Sequence, residues 1–91
     1  MKFTLEIGEK EKHLVEFNFN QLLGTMVIKV NQKEVKKTTR LINEPVLETH
    51  AIQIGDGQQL NLRIEKERKL LFGQKYRVFL NERLYQYYEG M

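Results

Sequence analysis

Four stretches of this chain place an apolar residue at every second position, and that period decides most of what the chain can become. Phe3, Leu5 and Ile7 alternate with Lys2, Thr4 and Glu6, and Val15, Phe17 and Phe19 alternate with Glu16, Asn18 and Asn20. Met26, Ile28 and Val30 alternate with Lys29 and Asn31, Val27 being the exception on the polar side. Leu60, Leu62 and Ile64 alternate with Asn61, Arg63 and Glu65. Successive side chains of a pleated strand point to opposite faces, so each stretch has one dry side and one wet side. Antiparallel sheet with one face on a core has this pattern.

Turn residues fall between the runs. Gly8 to Lys12 separates the first two, and Gly24 opens the third. Gly55-Asp56-Gly57 divides 46–54 from 58–65, where glycine supplies the positive φ of a tight hairpin. Asn31-Gln32 and Asn81-Glu82 follow apolar strand residues, and asparagine tolerates the left-handed region better than most residues. The reading is about eight strands, near 2–7, 13–19, 25–31, 34–40, 46–54, 58–65, 75–81 and 83–88. A helical stripe through Leu80, Leu84, Tyr87 and Tyr88 competes with it. The aromatic and β-branched content of 76–88, with Gly73 just before it, favours strands.

Pro45, the only proline, forces Glu44 toward an extended conformation, so 41–45 reads as the connection between two halves. Residues 24–31 resemble 73–81 with one insertion, a weak internal repeat. The expected architecture is all-β: one domain over 1–91, a sandwich of two antiparallel four-stranded sheets packed face to face.

Composition narrows the chemistry. The 91 residues include no Cys, no Ser, no Trp and a single Asp, Asp56. Disulfides, thiolate metal sites and serine or cysteine nucleophiles are thereby excluded. Eleven of the twelve carboxylates are glutamates, spread over polar faces and turns with no two flanking a reactive loop. A metal centre would have to add His13 or Asp56 to Glu48 and His50, the only two that share a face by spacing. The expectation is no enzyme, no metal and no cofactor. With no long apolar run and no signal-peptide core, the chain reads as cytoplasmic, without a membrane partner.

Basic residues collect in two hairpins, Lys33, Lys36, Lys37 and Arg40 in one and Arg63, Lys66, Arg68 and Lys69 in the other. With aromatic rings from Phe72, Phe79, Tyr85 and Tyr87 they could form a platform for single-stranded nucleic acid. Glu34, Glu65 and Glu67 interleave with the cations, and the net charge is only +3. The candidate binding residues are Lys36, Lys37, Arg40, Arg63, Lys66, Tyr85 and Tyr87, for another protein first and nucleic acid second.

Two stretches carry a family likeness: His13-Leu-Val-Glu-Phe17 with Gly24 and 27–35, and Phe72 through Asn81 leading into Tyr87-Tyr-Glu89. Together they resemble the Fas apoptotic inhibitory molecule family, with its His-x-Val-Glu-Phe strand, a glycine, and a Val-Asp-Gly-Lys-Glu-Val hairpin. Asn31-Gln32 stands where that family has Asp-Gly, and its tryptophans are absent. The resemblance implies a sandwich of two four-stranded antiparallel sheets. It implies action through protein contacts, as a non-catalytic interaction module, and brings no catalytic residues.

Overall fold

Alternation becomes sheet wherever it occurs. The computed structural model describes residues 1–20, 22–39, 46–55, 59–69 and 73–90. Its eight strands are β1 Lys2–Ile7, β2 His13–Asn20, β3 Thr25–Val30, β4 Lys33–Thr39, β5 Leu47–Ile54, β6 Leu60–Arg68, β7 Gln74–Leu80 and β8 Arg83–Gly90. Among the described residues there is no helix, and 83–90 is strand rather than helix. The strands form two antiparallel four-stranded sheets, ordered β1-β2-β3-β4 and β5-β6-β7-β8. They belong to two units, Met1–Glu44 and Pro45–Met91. The expected glycine hairpin at Asp56, the 41–45 connection, Arg40 and Phe72 lie outside the described residues.

In the first unit the dry face is built in rows set by strand register. Leu5, Val15 and Val30 form one row, and Phe3, Phe17 and Ile28 the next, with the Phe3 and Phe17 rings stacked at 4.7 Å. Phe17 and Ile28 are wholly buried, as are Ile64 and Val78 in the second unit. The β1–β2 connection depends on Gly8 (φ +103), where a Cβ would lie 2.0 Å from the Glu11 carbonyl oxygen.

The two units share their turn chemistry. Asn31 and Gln32 sit at φ 52 and 69, and Asn81 and Glu82 at 50 and 66. Positive φ at both central residues is what a two-residue type I′ hairpin requires. Each asparagine is also a clamp on the neighbouring strand. Asn31 N–H donates to the Leu14 carbonyl at 2.8 Å, and Asn31 Oδ1 accepts from Leu14 N–H at 2.9 Å. Asn81 and Asn61 make the same two bonds at 2.8 and 2.9 Å. Beyond each turn the register skips one residue, Val35 in β4 and Tyr85 in β8, so both end strands carry a bulge. A bulge twists an edge and interrupts its ladder, one way of keeping an exposed strand from pairing at random.

The largest boundary difference is at β6, which continues to Arg68 rather than ending near 65. The run 65–68 looks like a charged turn, but its charges are matched across the sheet. Arg77 donates to Glu65 and Glu67 from β7, and Lys66 donates to Glu48 on β5.

Candidate protein interface

The solvent face of the second unit concentrates apolar and aromatic surface at its β7–β8 margin. Three rows cross this face: Ala51, Arg63, Phe79 and Leu84; Thr49, Glu65, Arg77 and Tyr87; Leu47, Glu67, Lys75 and Glu89. Leu84 is 61% exposed, and Tyr85 and Tyr87 are also open to solvent. The Arg63 guanidinium lies over the Phe79 ring, 4.0 Å from its centroid, a cation–π contact.

Ion pairs fix the surrounding charges. Glu65 accepts from Arg63 and, at 3.0 Å, from Arg77 Nε, while Arg77 reaches Glu67 at 2.9 Å. Arg63 also contacts Glu82 at 3.2 Å. The Arg77 hydrogen bond is the main cause holding the Glu65 carboxyl below its ordinary value, and the same bond raises Arg77. Tyr87 donates its hydroxyl to Glu89, which also accepts from Lys69 at 2.9 Å. That bond raises the Tyr87 phenol and lowers the Glu89 carboxyl. Burial raises Tyr88.

The sequence-predicted site residues divide. Tyr85 and Tyr87 join this margin, and Arg63 frames it. Lys66 points the other way. It lies on the dry face with its side chain 2% exposed, 3.0 Å from a Glu48 carboxylate that is 6% exposed. Lys36 and Lys37 are neighbours on β4 and therefore face opposite sides of the first sheet, Lys36 opposite Ile28 and Lys37 opposite Val27. Within each unit the two candidate cations thus lie on opposite faces of their sheet, Lys36 against Lys37 in the first and Lys66 against Arg63 in the second.

Histidines sit where packing uses them. His13 is buried in the first unit, its Nδ1 3.1 Å from Asn31 Nδ2 and its Nε2 2.8 Å from Glu11 Oε1. Donation from Asn31 requires a bare Nδ1, which leaves the ring proton on Nε2 facing Glu11. Glu48 and His50 share the dry face of β5, both buried. Among the described residues, no group of three or more His, Asp or Glu side chains could hold a metal ion.

Sequence reading passed over the buried Glu48–Lys66 row. Matching the units through their asparagine turns puts Lys66 where the first unit has Phe19, and His50 where it has Phe3. Two apolar positions in adjacent rows of one unit are thus polar in the other. The one available signal was the odd spacing of Glu48, His50, Ile52 and Ile54, which puts two ionisable side chains on the apolar face of a strand.

No family model matches the chain, and neither a curated protein nor a solved structure does. The geometry defines a class: an all-β protein of two four-stranded antiparallel meanders with matching turns and edge bulges.

Proposed function

We propose that the chain is a non-catalytic protein-interaction module that binds its partner through the solvent face of β7 and β8. The carrying observation is the exposed pair Leu84 and Tyr87 beside Phe79, framed by Arg63 and Arg77, with Tyr85 exposed at the adjoining bulge. Tyr and Arg are enriched at the centres of protein interfaces, because they bring large contact area with few rotatable bonds and fixed hydrogen-bonding geometry. Here the arginines are already held in place by Glu65 and Glu67, so little of their freedom remains to be lost on binding. The resemblance to the Fas apoptotic inhibitory molecule domain supports the same reading.

A photo-crosslinker placed at Leu84 tests the proposal against one placed at Asn18, an exposed residue of the other unit. Adducts are expected from position 84 and not from 18, and Tyr85→Asp with Tyr87→Asp should abolish them. Equal labelling from both positions, or adducts indifferent to the tyrosine changes, would overturn it.

A further inference from the structure

The first unit ends in an apolar tip that its own fold does not use. Leu22 and Leu23, in the β2–β3 connection, are 92% and 55% exposed. The connection is nevertheless built to hold them out. Asn20 Oδ1 accepts from the Leu23 N–H at 3.1 Å, and Gly24 takes the left-handed conformation (φ 66) that returns the chain into β3. Two leucines held outward at a loop tip need an apolar phase or a partner to cover them.

The charge behind the tip says which. On the solvent face of this sheet, the row nearest the tip is Asn20, Thr25 and Thr39, all uncharged. The next row runs Lys2, Asn18, Val27 and Lys37, with a cation at each margin of the sheet. Glu16 and Glu34, with Lys29 between them, come only in the row after that. Glu6, Glu9 and Glu11 belong to the opposite end, around the β1–β2 connection. At a rise of about 3.3 Å per residue, the lysine row stands about 7 Å behind the strand ends, and the first carboxylates among the described residues of this face about 13 Å behind. A lysine side chain spans the nearer distance, whereas the farther one exceeds a physiological Debye length of about 8 Å.

We infer that, against the expectation of no membrane partner drawn from the lack of a long apolar run, this tip docks on an anionic lipid surface, with Leu22 and Leu23 entering the acyl boundary and Lys2 and Lys37 meeting the headgroups. Peripheral proteins combine shallow apolar insertion with electrostatic attraction in this way, since either alone gives marginal affinity. No spanning segment is needed, and among the described residues no helix is long and apolar enough to cross a membrane. The site lies in Met1–Glu44, and the β7–β8 surface in Pro45–Met91.

Flotation of the full chain with vesicles tests this, comparing phosphatidylcholine alone with phosphatidylcholine containing phosphatidylserine. The chain should float with the anionic vesicles only, and high salt should release it. Leu22→Glu with Leu23→Glu should weaken binding about 100-fold, about tenfold or 1.4 kcal/mol per residue. Lys2→Glu with Lys37→Glu should weaken it about fivefold or more per site. All four side chains are exposed, so urea midpoints should stay at the wild-type value. Because the chain has no Trp, Leu22→Trp supplies a single indole fluorophore whose emission should shift to the blue on anionic vesicles. Absence of flotation, equal flotation with neutral vesicles, full binding by the double-glutamate tip, or an unshifted indole emission from the Leu22→Trp variant would each overturn the inference.

Discussion

Breaking the Glu48–Lys66 pair and removing it altogether should have opposite consequences. Lys66 Nζ stands 3.0 Å from Glu48 Oε2, and the two side chains are 2% and 6% exposed. Two charges withdrawn from water this completely are tolerable because each compensates the other. Lys66→Met leaves the Glu48 carboxylate buried without its cation, and should cost about 3–5 kcal/mol. Glu48→Leu leaves the ammonium in the same position, with a similar cost. Glu48→Leu combined with Lys66→Met fills the row with apolar side chains, as Phe19 does at the corresponding place in the first unit. The double variant should lie within about 1 kcal/mol of wild type, or above it. Against the sum of the single costs, that is a coupling of roughly 5 kcal/mol or more. Urea unfolding followed by far-ultraviolet circular dichroism measures all three, with a constant m-value securing the comparison. Lys69→Met provides the exposed control. Its pair with Glu89 is 32% and 47% exposed, so the change should cost less than about 1 kcal/mol. A double variant as unstable as the worse single one would show that the loss in the single variants does not come from an unbalanced buried charge.

Phe17→Ala should cost about 3–5 kcal/mol in the same assay, by lost burial, the cavity left behind and the lost stack on Phe3. Glu16→Ala, one residue away on the other face, should cost less than about 0.5 kcal/mol. Asn31→Ala removes both the left-handed preference and the Oδ1 acceptor of the Leu14 N–H, and should cost about 1–2 kcal/mol. Gln32→Gly relieves φ 69 and should raise stability by about 0.5–1 kcal/mol, seen as a higher urea midpoint. Glu65 is held below its ordinary value in the folded state, so the stability it contributes is present above the unfolded carboxylate range and is lost as pH falls through the folded value. Arg77→Gln removes the main cause and should flatten the acid limb of a pH–stability profile.

The strand pattern was legible because burial on one face of a pleated strand demands period 2, as in Phe3, Leu5 and Ile7 or Val15, Phe17 and Phe19. The asparagine turns were legible as well, because few residues accept positive φ, and both pairs take it. Sheet composition at the 65–68 end of β6 was not. Glu65, Lys66, Glu67 and Arg68 carry no apolar period, and they form strand because register brings Glu48, Lys75 and Arg77 opposite them. Such a ladder is a property of three strands at once. The candidate surface was half legible. Tyr85 and Tyr87 stand out as aromatics in a late strand, but the place of Tyr87 on the same face as Leu84 depends on the bulge at Tyr85, which reverses which side chains beyond it face solvent.

Surface and stability are separate at β8, and one double variant measures that separation. Leu84 and Tyr87 are 61% and 46% exposed on the solvent face, so Leu84→Asp with Tyr87→Asp removes apolar area much of which folding leaves open. The urea midpoint should correspond to a change of no more than about 0.5 kcal/mol per site, while crosslinking through the β7–β8 face disappears. A loss of more than about 2 kcal/mol would contradict the account, because it would mark the two residues as parts of the fold rather than a surface held open for a partner.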